Sequence, residues 1–119
     1  MEVINLASKY ELFDDLWSPH IVASLNGQDV KIAKVKGDFI WHDHANEDEL
    51  FYIIKGTLYI ELRDGLKKLS QGEMIKIPKG VEHRPYAPEE CWIMLFEPQS
   101  TQHTGEVESN LTVHDQKKI

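Results

Sequence analysis

The chain has 119 residues, one domain's worth, with no room for a second core of any size. Its 13 Lys and Arg against 20 Asp and Glu give a net charge of -7, so a nucleic-acid backbone or an anionic lipid surface is repelled on average. Apolar residues at 41% and charged residues at 28% suit a folding domain, and no apolar stretch nears the roughly 20 residues of a membrane span.

Residues 1–20 read as an arm carrying one short helix. The first residues lack a basic segment followed by an apolar one, so no secretory leader is expected. Ser8 and Glu11 have the spacing of a capping box, Tyr10, Phe13 and Leu16 fall on one helical face, and Pro19 breaks the segment. Strands are predicted over 21–25, 30–35, 39–44, 50–54, 59–63, 66–69, 74–77 and 91–97, where Val, Ile, Leu, Phe and Tyr gather between glycines at 27, 37, 56, 65, 72 and 80. Asn26-Gly27 and Asp64-Gly65 suit two-residue hairpin turns. The strands lie too close together for crossover helices, which makes the sheet mostly antiparallel and the architecture an all-β sandwich or barrel over residues 21–97. From Pro98 the composition turns polar, and residues 98–119 read as a tail lying over the outside. The lone cysteine, Cys91, rules out an internal disulfide and fits a reducing, cytoplasmic setting.

Three of the six histidines stand in a suggestive pattern. His42 and His44 are two apart in a predicted strand, so both imidazoles project from one face. Glu49 follows a short acidic loop at the head of the next strand, and His83 follows the turn Pro78-Lys79-Gly80, where an antiparallel neighbour can bring it alongside. Neutral imidazoles with one carboxylate suit Fe(II), Mn(II), Ni(II), Zn(II) or Cu(II) and leave positions for water or substrate. Taken singly, each residue reads as well as a surface histidine or a solvated acidic loop.

Together with the glycines and Pro78, the pattern resembles the two motifs of the cupin superfamily. Gly37, His42, His44, Glu49 and Gly56 follow the first, and Gly72, Pro78, Gly80 and His83 the second. Gly37 is one residue too close to His42, and Ala87 stands where the second motif has Asn. The resemblance implies a small single-domain cupin, a double-stranded β-helix or jelly-roll barrel of the mannose-6-phosphate isomerase-like type, in which His42, His44, Glu49 and His83 bind a divalent metal. Ile40 would then share the inward face, Phe39 and Trp41 would face away, and Phe51 and Ile53 would join Glu49 around an apolar pocket.

Lys76, Lys79 and Arg84 surround the second motif and could hold a carboxylate or phosphate, or be solvated positions of strand and turn. Trp41, Tyr86 and Trp92 could stack on a ring, although aromatics in small barrels usually fill volume. Cys91 and Met94 could be soft ligands, but an apolar run favours burial for Cys91. His20, His103 and His114 receive no role. No phosphate loop, nucleophile elbow, CxxC pair or HExxH helix is present. The leading expectation is a metal-dependent enzyme acting on a small oxygen-coordinating molecule, isomerase-like or dioxygenase-like, with Glu49 leaving the ion to act as a base. The alternative is a binding or sensing module without turnover. A homodimer is expected because Trp17, Trp41 and Trp92 need cover.

Overall fold

One short helix and seven strands make up the computed structural model, which describes residues 1–101, 105 and 115–119. They are α1 (Leu6–Tyr10), β1 (His20–Leu25), β2 (Gln28–Asp38), β3 (Glu49–Lys55), β4 (Thr57–Leu62), β5 (Gly65–Ser70), β6 (Met74–Ile77) and β7 (His83–Pro98). Every strand pair is antiparallel. The sheet order is β1-β2-β7-β3-β6, with β4 joining β5 to the first part of β7. This is the expected all-β jelly-roll barrel.

Two hairpins form, the first turning at Asn26-Gly27 as expected and the second at Arg63-Asp64, one residue earlier than expected, with Gly65 already paired to Leu62. Asn26 (φ 51°) and Gly27 (φ 76°) both take the left-handed conformation that a two-residue turn with the right twist demands. Gly56, at φ 89° between β3 and β4, is needed for another reason. A Cβ there would meet the Glu90 carbonyl oxygen at 3.0 Å and the Cys91 Cα at 3.2 Å, both of them rigid backbone.

The strand expected over 39–44 is absent. β2 runs on to Asp38, its register against β7 shifts between Val35 and Gly37, and the chain then crosses to β3 as a loop with one bridge, His42 to His83. The last strand is far longer than expected, starting at His83 instead of Cys91. One edge of β7 changes partner along its length, pairing first with β4 over residues 83–86 and then with β3 from Trp92, while β2 pairs along the other edge from Tyr86 to Pro98. Through that change the odd-numbered residues His83, Pro85, Ala87, Cys91, Ile93, Leu95 and Glu97 stay buried.

The helix also differs. Asn5, not Ser8, is the cap, its side chain accepting from the Ser8 amide at 3.1 Å, because asparagine is among the strongest N-cap residues and Ser8 already lies inside the first turn. The helix ends at Tyr10, so Phe13 joins Tyr10 in the interior while Leu16 is exposed.

β2 is covered on both sides. Ala33 and Val35 face the main core with Phe51, Ile53, Leu58, Ile60, Ile93 and Leu95, while Ile32 packs outward beneath Tyr10 and Phe13 of the arm. The Tyr10 hydroxyl donates to the Ile93 carbonyl and its ring stacks on Trp92. Residues 117–119 lie along β1, with the Ile21 amide donating to the Lys117 carbonyl at 2.8 Å and the Ile119 amide to the Ile21 carbonyl at 2.9 Å. The described end of the tail thus rests on the outside, as expected; His103 and His114 lie outside the described residues. No described helix is long and apolar enough to cross a membrane.

Candidate metal centre

The loop between β2 and β3 brings His42 and His44 over the mouth of the barrel, and β3 and β7 bring Glu49 and His83. Their ligand atoms lie within 4.8 Å of one another. His42 and His44 do converge, but from a loop and not from one face of a strand. What aims them is a set of loop hydrogen bonds: His42 and His83 exchange backbone bonds of 3.1 and 2.9 Å, and the Gly80 amide donates to the His44 carbonyl at 2.8 Å.

Two imidazoles are oriented by the backbone two residues before them. His42 Nδ1 lies 2.9 Å from the Ile40 carbonyl and His83 Nδ1 2.9 Å from the Val81 carbonyl. A carbonyl can only accept, so each Nδ1 carries the proton and each Nε2 is free to bind a metal. His44 Nε2 stands 3.4 Å and His83 Nε2 3.5 Å from Glu49 Oε1. Those three atoms are fully buried and find no hydrogen-bond partner among the described residues. Burying polar atoms unsatisfied is costly, and a divalent ion at the centre of this donor set would satisfy all three at once.

The electrostatics suit a cation. Burial, with neighbouring His83 adding to it, pushes His42 down to about 4, so the ring is neutral near pH 7. Burial alone would raise Glu49, but the neighbouring side chains of His44, His83 and Glu97 hold it well below the usual carboxylate range. His44, disfavoured by burial in its charged form, is nonetheless raised by Glu49 beside it.

The cupin domain family profile matches residues 28–96. The chain belongs to the cupin family. A cupin-2 domain protein from Shewanella frigidimarina is 50% identical, with a TM-score of 0.81 over 82% of this chain and 95% of that one. Protein NMB1881 from Neisseria meningitidis is 30% identical, with a TM-score of 0.76 over 82% of this chain and all of that one. The uncharacterized protein YdbB of Bacillus subtilis is 34% identical over 64 residues, which are 53% of this chain and 57% of YdbB.

In this cupin, His42 and Glu49 open onto a narrow apolar cavity whose other walls include Trp17, Val35, Phe39, Phe51, Pro85 and Leu95. Glu49, Phe51 and Ile53 share the inward face, as expected. Phe39 does not face away: it is buried, stacks on Trp17 and sets its edge against His42. Trp41 is half-buried, with the Arg63 guanidinium 3.7 Å above its ring. The basic trio does not reach the cavity. Arg84 is held by Glu61 at 2.9 Å and Asp38 at 3.3 Å, while Lys76 lies on an outer groove with Glu47, Asp48 and Glu49, the last of which also lines the cavity. Cys91 is buried in the core, where burial pushes its thiol up to about 12, and Tyr86 stacks on Tyr59.

A buried ion pair went unnoticed in the sequence. Lys31 Nζ stands 2.8 Å from Glu97 Oε1, with both side chains essentially inaccessible. Burial, and then the charge of Glu49, push Glu97 above the ordinary carboxylate range, while Lys31 beside it pulls the other way. The signal was parity: Glu97 follows Cys91, Ile93 and Leu95 at intervals of two.

Proposed function

We propose that this cupin is a metal-dependent enzyme whose substrate is a small molecule bound to the ion through oxygen. The observation that carries the reading is the convergence of His44 Nε2, Glu49 Oε1 and His83 Nε2, buried and unpartnered, beside an apolar cavity lined by His42 and Glu49. A divalent ion of the Fe, Mn, Ni, Zn or Cu kind, held by His42, His44, Glu49 and His83, supplies Lewis-acid polarisation and, where the metal is redox-active, electron transfer. The chain's own residues supply orientation, dryness and a base. His42 and His83 are fixed by the Ile40 and Val81 carbonyls, Val35, Phe39, Phe51 and Leu95 exclude water, and Glu49, on leaving the ion, is the base that takes a proton from the substrate.

Between the two enzyme types, the walls favour dioxygenase-like chemistry over a sugar-phosphate isomerase. None of the cavity-lining residues is Lys or Arg, and Arg84 already serves two carboxylates. A phosphate needs charged or amide donors, which an apolar wall lacks. The test is metal analysis of protein purified without a chelating resin, followed by oxygen uptake and sugar-phosphate turnover over a substrate panel. Bound iron, nickel, copper or manganese with substrate-dependent oxygen uptake supports the reading. Sugar-phosphate turnover overturns the preference, and tight ligand binding without turnover assigns a binding or sensing module instead.

The reading includes a homodimer in the cytoplasm, where the single buried thiol would stay reduced. The tryptophans do not argue for the dimer, since Trp17 is buried against Phe39, Trp41 lies under Arg63 and Trp92 against Tyr10 and Lys55. What supports it is exposed Leu66 and Met74 on β5 and β6, each of which pairs on one side only among the described residues. A monomer by light scattering at micromolar concentration overturns it.

A further inference from the structure

The arm that precedes β1 does more than cover β2. It folds back so that Leu16 bridges to Lys34, and the Trp17 amide donates to the Lys34 carbonyl at 2.9 Å. The indole Nε1 donates to the Lys36 carbonyl, also at 2.9 Å. Lys34 Nζ in turn donates to the Phe13 carbonyl at 2.8 Å, and Asp15 Oδ1 lies 3.1 Å from His20 Nε2, so the segment is tied down on both sides of Trp17. Trp17 itself sits at φ 57°, a left-handed conformation rare for a bulky residue, which persists only where the surroundings over-determine it.

This conformation delivers the indole to the metal cavity. Trp17 is 8% exposed, lines the cavity with Pro19, and stacks on Phe39 with ring centroids 4.7 Å apart. Phe39 meets the edge of His42 at 5.4 Å. A continuous aromatic wall therefore runs from the arm to a ligand imidazole. The volume left for the centre of a water-sized sphere is about 30 Å³, room for about two waters.

We infer that Trp17 is the specificity-determining wall of the site, limiting it to oxygen donors whose body beyond the donor atoms is no bulkier than a methyl group. The inference rests on the proposed metal site and deepens it. A planar indole, tied by Nε1 to the Lys36 carbonyl on a backbone itself tied to Lys34, yields less than a flexible side chain would, so a larger body meets a fixed surface. The arm thus supplies selectivity that the four ligand positions, being chemically general, do not.

The experiment uses cobalt-loaded full-length protein and two probes with the same oxygen donors, acetohydroxamate and benzohydroxamate, titrated by the visible absorption of the cobalt. Wild type is expected to bind acetohydroxamate at least tenfold more tightly than benzohydroxamate. In Trp17→Ala that ratio is expected to fall below about threefold. Trp17→Leu, which keeps more of the buried volume, is run beside it with circular dichroism to show that it folds, and is expected to give an intermediate ratio. Equal affinity of wild type for both probes, or an unchanged ratio in a folded variant, overturns the inference while leaving the metal site standing. Absence of cobalt absorption in wild type before any probe is added overturns the metal site and the inference with it.

Discussion

His42 and His83 hold each other by their backbones: each amide donates to the other's carbonyl, at 3.1 and 2.9 Å, and this bridge joins the loop to β7 beneath the site. The imidazoles take no part in it. Alanine at either position therefore removes a ligand without removing the bridge. We expect His42→Ala with His83→Ala to cut bound metal below about a tenth of an equivalent by elemental analysis, at a cost to the metal-free protein of no more than about 3 kcal/mol in urea denaturation. A full metal complement in the double variant would refute the ligand assignment.

The ligand set was legible because its residue types and spacing carry the chemistry, whichever backbone delivers them. The delivery was not legible. Alternation along a strand was invoked for His42 and His44, yet tertiary bonds to His83 and Gly80 hold a loop there. The two departures from the family pattern meet in the structure: Gly37 is the partner of Ala87 across β2 and β7, where the register shifts. A spacing irregularity in one strand and a substitution in another gave no hint that they were one site. The first half of β7 carries two prolines, which lack the amide a ladder uses, and is a strand only through its pairing with β4 and β2, which no local pattern reveals. Trp17 reached the cavity through a left-handed backbone that no periodicity foretells.

The Lys31–Glu97 pair makes a stability prediction. Neither side chain reaches water, and the Glu49 carboxylate lies beside Glu97. Lys31→Met leaves buried negative charge without its cation and should cost about 3–5 kcal/mol, measured as a urea midpoint with an unchanged slope. Lys31→Met with Glu97→Gln should recover more than half of that loss. Additive losses in the double variant would show that the two residues do not act as a pair.

His42 sets part of the acid sensitivity. Its folded value of about 4 lies below the usual 6.5, so between those values the unfolded chain binds more protons; stability from this group is present above 6.5 and is lost as pH falls toward 4. His44 and Glu97, both raised, respond in the opposite sense, so the His42 contribution is read as a difference between proteins. The stability of the metal-free wild type relative to His42→Gln should fall by up to about 3 kcal/mol between pH 6.5 and pH 4. A difference that stays constant over that range would mean His42 is not buried neutral.

Metal binding should itself stabilise the fold, because the four ligands come from the β2–β3 loop, β3 and β7 and are assembled only in the native state. At a free metal concentration a hundred times the dissociation constant, the gain is about 2.7 kcal/mol. For a chain of this length that corresponds to a rise in Tm of roughly 10 °C. The rise should be reversed by a chelator and absent in His42→Ala with His83→Ala. Scanning Fe(II), Mn(II), Ni(II), Zn(II) and Cu(II) against the apo-protein then orders the metals by the site's own preference. An equal rise in the double variant would place the binding at other groups, such as the outer groove with Glu47 and Asp48, and not at the buried donor set.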